Sequence, residues 1–156
     1  MYNEHIITMT EHFAWFQKVQ KDPHSCHLIY EYQGVPSGVI NITHIDPDNK
    51  RCYWGFYLGR ENTPPGCGLA MGYEGLNYIF NELHLRKLCG EVFAFNLPSL
   101  NYHQKLGFVA EGRFKEHVFK NGIFEDIVCL ALFADVWQKT RAAIALRCFG
   151  RENNDL

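Results

Sequence analysis

The chain has 156 residues, 47% of them hydrophobic and 21% charged, with a formal net charge of -2. That is one domain's worth of sequence, apolar enough to bury a core without metal or disulfide staples. The balanced charge argues against nucleic-acid binding by bulk electrostatics, and no apolar stretch is long enough for a membrane-spanning helix.

The first predicted element is a helix. Thr8-Met9-Thr10-Glu11 reads as a capping box, and His12, Trp15, Phe16 and Val19 follow at helical spacing along one face. Asp22-Pro23 ends it. His27 to Tyr32 reads as a strand, Gln33-Gly34 as a turn and Val39 to Ile45 as the next strand. The turn cluster Asp46-Pro47-Asp48-Asn49 leads into a third strand, Cys52 to Leu58, rich in aromatics. After a loop over 59–65, a helix is predicted from about Gly68 to Leu83, with Leu69, Leu76, Ile79, Phe80 and Leu83 at helical spacing. Lys87 to Phe95 reads as a strand and Ser99 to Leu106 as a short helix. Val109 to Phe119 and Ile123 to Phe133 flank Asn121-Gly122, a strong hairpin signal. A last helix runs from roughly Ala134 to Leu146, and 151–156 read as a frayed tail. No repeat or linker divides the chain, so residues 1–150 are expected to form a single domain. The order of elements suits a mixed α/β sheet with helices on both faces, neither a regular βαβ array nor an all-β sandwich.

The six cysteines (Cys26, Cys52, Cys67, Cys89, Cys129, Cys148) form no C-x-x-C pair. Several lie in apolar runs such as Cys129-Leu130-Ala131-Leu132, where a free thiol behaves as a small hydrophobe. With no basic segment and apolar h-region at the N-terminus, the expectation is a reduced, cytoplasmic protein that uses no metal.

Two stretches carry chemistry. Thr63-Pro64-Pro65-Gly66-Cys67-Gly68-Leu69-Ala70 lies between a strand and a long helix. Its glycines let backbone approach an anion, and the helix N-terminus offers unpaired N–H groups and a positive dipole end. Read functionally, it is a diphosphate cradle; read blandly, it is a loop with two glycines. It lacks the Lys-Ser/Thr pair of a P-loop. Further on, Asn96-Leu97-Pro98-Ser99 precedes Tyr102-His103-Gln104-Lys105-Leu106-Gly107-Phe108 and then Glu111-Gly112. Alone, these are a turn with a helix cap, then a helix stop with a core aromatic.

Together, in this order and separation, the two stretches resemble the GNAT N-acetyltransferase superfamily and, within it, the ribosomal-protein acetyltransferase branch. Gly66 and Gly68 match the glycine positions of its cofactor motif, while Thr63 stands where glutamine or arginine is usual. A narrower likeness links His5-Ile6-Ile7-Thr8, His12, Trp15-Phe16, Tyr53-Trp54-Gly55-Phe56-Tyr57-Leu58, Arg86-Lys87-Leu88 and Glu91-Val92 to the pseudaminic-acid pathway acetyltransferases. Those act on the 4-amine of a UDP-linked amino-dideoxy sugar.

The resemblance implies a GNAT-like, largely antiparallel mixed sheet that lacks the family's opening strand and helix, leaving an edge for a partner chain to cover, as in a homodimer. It implies that strands 52–58 and 87–95 run parallel and splay into a slot for the pantetheine arm of acetyl-CoA. Backbone groups of Phe56, Tyr57 and Leu58 would hold that arm, amides of Gly66, Cys67, Gly68, Leu69 and Ala70 the pyrophosphate, Asn96 the pantetheine, and Ser99 would start the adjoining helix. The amine attacks the thioester directly, and the departing thiolate takes a proton from an acid, His103 or Tyr102. No base declares itself; His27 and His44 lie on or beside strands that face the acceptor, and ordered water would also serve. His44, Tyr53 and Trp54 are expected to contact the acceptor, with Tyr53, Trp54 and Tyr57 stacking on a uracil or sugar face or else packing in the core. The implied acceptor is a UDP-amino sugar. A protein N-terminus or other small amine is the alternative, and a non-catalytic acetyl-CoA-binding module the third reading.

Overall fold

The computed structural model describes residues 7–59 and 63–150, so the expected tail over 151–156 lies outside the described residues. Helix α1 spans Met9–Val19 and opens with the expected capping box: the Glu11 amide donates to Thr8 Oγ1 at 3.3 Å, and the Thr8 amide donates to the Glu11 carboxylate at 2.7 Å. Strands β1 (Cys26–Tyr32) and β2 (Val35–Asp46) then pair antiparallel. Both residues of the intervening turn have positive φ, 52° at Gln33 and 75° at Gly34, the two-residue geometry whose twist matches that of a hairpin. Such a turn begins pairing at once. Strand β2 therefore starts at Val35, ahead of the expected Val39, with Pro36 opposite Glu31 at an irregularity in the ladder.

Strand β3 (Arg51–Leu58) continues the antiparallel meander. Helix α2 spans Cys67–Asn77 and passes into a π-turn, Tyr78–Glu82, where a single helix to Leu83 was expected. The wider turn is closed by the Leu83 amide donating to the Tyr78 carbonyl at 3.0 Å. Strand β4 (Lys87–Phe93) stops short of Phe95 because the Asn96 amide turns back to the Phe93 carbonyl at 2.9 Å. Helix α3 (Leu97–Lys105), strands β5 (Val109–Lys120) and β6 (Ile123–Phe133) and helix α4 (Ala134–Phe149) complete the chain. At the β5–β6 turn, Asn121 and Gly122 again take positive φ, 52° and 82°.

The six strands form one sheet in the order β1-β2-β3-β4-β6-β5. Every neighbouring pair is antiparallel except β3 and β4, as expected of a largely antiparallel mixed sheet with one parallel step. One face carries the core: Ile40, Ile42, Cys52, Trp54, Leu88, Val92 and Leu132 meet Met71 and Leu76 of α2, Leu106 just after α3, and Trp137 and Ile144 of α4. Close packing of α2 on α3 depends on Gly72, where any side chain would collide with the Tyr102 hydroxyl. Among the described residues the other face carries only α1, whose Trp15 ring edge meets His27 at 5.1 Å and which buries none of its residues. Helices thus lie on both faces. All six cysteines are free thiols, and burial pushes the Cys52 thiol up to about 12, far from the thiolate form. No described helix is long and apolar enough to cross a membrane.

Candidate active site

The site begins where the sheet fails. Strands β3 and β4 pair only at Arg51–Lys87, Cys52–Leu88 and Tyr53–Cys89, and then part. Both strands run toward the gap, which therefore opens at their C-terminal ends, the usual ligand position in sheets with parallel neighbours. Side chains alternate across each strand, so Trp54 and Phe56 face α2 and α3 while Tyr53, Gly55 and Tyr57 face the opposite side.

On the helix side a cavity of about 200 Å³ is lined by Trp54, Gly55, Phe56, Glu91, Val92, Asn96, Ser99 and His103. On the outer side a vestibule of about 480 Å³ is lined by Thr43, His44, Tyr53, Trp54, Gly55, Glu91 and Phe93. The two share Trp54, Gly55 and Glu91, so the gap is a passage with a carboxylate at its waist.

Ladder alternation decides which β3 backbone groups face this gap. The Gly59 amide donates to the Ser37 carbonyl at 2.9 Å, and Tyr57 pairs with Val39 two residues back along the same ladder. In an antiparallel pair such positions alternate, so Tyr57 turns its amide and carbonyl to β2 while Phe56 and Leu58 turn theirs to the gap. Two of the three backbone positions expected there are thus presented. The Tyr57 ring instead lines a recess under α1.

The Gly66–Ala70 corner sits at the N-terminus of α2. Gly66 takes φ 97°, a conformation that side chains resist, and no side chain caps the helix. The Cys67 amide donates to Pro64 O and the Ala70 amide to Gly66 O, at 3.2 and 3.0 Å. Among the described residues the amides of Gly66, Gly68 and Leu69 have no protein partner. A Cβ on Gly68 would touch only Leu58 Cδ1, at 3.6 Å, which places the corner at the end of β3. Bare amides and a positive dipole end suit an anion.

Asn96 and Ser99 take up the cap role as well as bordering the cavity: the Ser99 amide donates to Asn96 Oδ1 at 3.2 Å. His103 is buried to 4% exposure against the gap. Its Nδ1 lies 2.8 Å from the Ser99 carbonyl, which only accepts, so Nδ1 carries the hydrogen; Nε2 then accepts from Trp54 Nε1 at 3.2 Å. Burial lowers its proton affinity, only partly offset by the Ser99 carbonyl. Tyr102 donates its hydroxyl hydrogen to the Gly68 carbonyl at 2.7 Å, and burial raises its pKa. Neither acid candidate presents a proton to the gap in this arrangement. His103 is tied into its wall, and Tyr102 packs against Phe56 with ring centroids 4.8 Å apart.

The acceptor-side expectations divide similarly. His44 and Tyr53 meet in the vestibule with ring centroids 5.6 Å apart, His44 at φ 51° on a bulge of β2. Trp54 faces the other way, with its indole stacked on Phe108 at 5.5 Å, so it borders the passage from the core rather than offering a face to the vestibule. His27 lies deeper under α1, away from the passage. Sequence reading did not assign Glu91 or Phe93 to the site. Period-two alternation along Lys87–Phe93, which sets Cys89, Glu91 and Phe93 on one face, was the available signal.

His103 gives a testable stability effect. An unfolded histidine takes up a proton near pH 6.5, whereas the folded group resists it to lower pH. Between those values the unfolded chain binds more protons, so stability falls as pH drops below about 6.5, by up to ~1.4 kcal/mol per pH unit, until the folded group also titrates. Urea unfolding between pH 7.5 and 5 is expected to show this slope, and His103→Asn to flatten it. An unchanged slope in the variant would assign the loss to another group.

The comparisons with known proteins agree on the domain type. A family profile described as an acetyltransferase (GNAT) domain matches residues 1–128. The chain is 34% identical over 93 residues to a SPbeta prophage-derived uncharacterized N-acetyltransferase of Bacillus subtilis, covering 58% of this chain and 52% of that protein. It is 23% identical over 118 residues to spermidine N(1)-acetyltransferase of Escherichia coli, covering 76% and 63%. The chain thus spans about half to two thirds of the length of these curated relatives. Spermidine N-acetyltransferase from Vibrio cholerae in complex with CoA and spermine superposes with a TM-score of 0.82 at 20% identity, over 88% of this chain and 82% of that one, a likeness of fold.

Proposed function

Since the chain belongs to the acetyltransferase (GNAT) domain family, we propose that it transfers the acetyl group of acetyl-CoA to a small amine, whose nitrogen enters from the outer vestibule. The observation that carries this reading is the passage through the sheet: a narrow cavity joined to a wider chamber on the opposite face, with the bare amides of Gly66, Gly68 and Leu69 beside the end of β3. The pyrophosphate would sit on the amides of Gly66, Gly68 and Leu69, and the pantetheine arm would lie along Phe56 and Leu58.

The amine nitrogen attacks the thioester carbonyl; its C–N bond forms, the C–S bond breaks, and one proton passes from the nitrogen to the thiolate sulfur. Glu91 at the waist is placed to accept a hydrogen from the incoming amine directly or through water. His103 and Tyr102, with their protons spent on Ser99 and Gly68, act here as wall and positioning groups rather than as the acid.

Among the described residues, those lining the vestibule include one carboxylate, Glu91, and no lysine or arginine. That favours an acceptor with a cationic amine over the UDP-amino sugar of the pseudaminic-acid reading, whose diphosphate would stand beside the Glu91 carboxylate with no cationic side chain among the described lining residues to offset it. A thermal-shift and thiol-release panel tests the choice. Saturating acetyl-CoA is expected to raise the melting temperature by several degrees, since a hundredfold excess over Kd adds about 2.7 kcal/mol. UDP is expected to do nothing, and a simple amine to release free CoA. Stabilisation by UDP would restore the nucleotide-sugar acceptor. Acetyl-CoA binding with no thiol release from any amine, UDP-amino sugars included, would make the chain a binding module.

A further inference from the structure

We infer that the body of the acceptor lies under α1, along the outer face of β2, and that His27 reads it through a hydrogen bond. This rests on the transferase reading above. The vestibule does not end at His44. It adjoins a recess of about 370 Å³ that shares Thr43 and His44 with it, and that recess shares Trp15, His27 and Asn41 with a larger cavity of about 610 Å³. From Thr43 to Val39 the strand rises roughly 13 Å at about 3.3 Å per residue. An amine at Gly55 therefore has a trench for the rest of its molecule.

Its chemistry is specific. The far cavity is lined by Ile7, Trp15, Phe16, Ile29, Val39 and Tyr57, with Glu11, His12, His27 and Asn41 as its polar members. Three of the six apolar or amphipathic members are aromatic, a wall that favours a flat ring. Among the described residues no lysine or arginine lines any of the three chambers to meet a diphosphate.

His27 supplies the polar mark. Its Nδ1 lies 2.7 Å from Asn41 Oδ1, an acceptor, so Nδ1 carries the hydrogen and Nε2 keeps a lone pair. That Nε2 is buried and has no hydrogen-bond partner among the described residues. A buried acceptor without a donor is a costly arrangement that an N–H or O–H group of a bound molecule would relieve. The occupant is thus an arylalkylamine: a cationic amine at the passage, a short stem, and a ring bearing one hydrogen-bond donor against His27.

Tyramine and phenethylamine differ by that donor alone. In steady-state thiol-release assays with acetyl-CoA, tyramine is expected to exceed phenethylamine in kcat/KM by about tenfold, the worth of one buried hydrogen bond. His27→Phe should bring the ratio close to one, with the melting temperature checked alongside. Should that variant unfold, Trp15→Ala on the exposed helix face is expected to raise KM for both amines severalfold and leave acetyl-CoA affinity unchanged. Equal rates for the two amines in the unaltered protein, spermidine outrunning both, or stabilisation by UDP would each overturn the assignment of the trench. Acetyl-CoA binding with no thiol release from any amine would instead remove the transferase reading on which it stands.

Discussion

Trp137→Ala is expected to cost about 3–5 kcal/mol, the range for deleting a large buried aromatic. Trp137 is fully buried at 0% exposure and is the largest side chain in that state. It packs against Tyr73 and Phe80 at ring-centroid distances of 5.4 and 6.5 Å, fastening α4 to α2 and the π-turn. A loss of that size is a large share of the roughly 5–15 kcal/mol that holds a domain of this length together. Trp137→Phe is a sharper probe. Among the described residues the buried indole Nε1 has no hydrogen-bond partner, so phenylalanine gives up volume but also removes an unmet donor. Urea unfolding should place it well above the alanine variant in stability. If the two lie together, the packing account of α4 fails.

Gly68→Asp is expected to separate folding from cofactor binding more cleanly than any other single change. A Cβ at this position meets only Leu58 Cδ1 at ordinary contact distance, so the side chain fits. A carboxylate in the first turn of α2 should also favour the helix dipole, by about 0.3–1 kcal/mol. The unliganded variant should therefore melt at or slightly above the parent temperature. The same carboxylate would stand against the pyrophosphate, and like charges brought together cost several kcal/mol. Titration calorimetry should show acetyl-CoA binding weakened on the order of a hundredfold. Undiminished affinity would mean that the phosphates bind elsewhere.

The two variants bear on what could be read without coordinates. The capping box at Thr8 and the Asn121-Gly122 turn were legible because each depends on contacts within four residues. The start of β2 was not, because Pro36 and Gly38 argue against a strand locally while pairing with β1 overrides them. The π-turn at Tyr78–Glu82 likewise leaves the apolar spacing of a helix intact and so gave no sign of itself. At the site, Gly66 and Gly68 stood out as residue types. The roles of His103 and Tyr102 depended on which carbonyl each side chain reached, Ser99 within its own helix and Gly68 across 34 positions of sequence. Motif position alone could not decide that. The lone pair of His27 required knowing that Asn41 lies beside it on the next strand.

Three paired positions, with the Arg86 amide donating to the Lys50 carbonyl just ahead of them, join the two halves of the sheet, one built from β1–β3 and the other from β4–β6. Each half is a continuous antiparallel ribbon, and the helices beneath act as the hinge plate between them. An extended thioester arm laid along Phe56 and Leu58 would supply the rungs that the chain itself omits. Cofactor arrival would then complete the ladder between the two leaves.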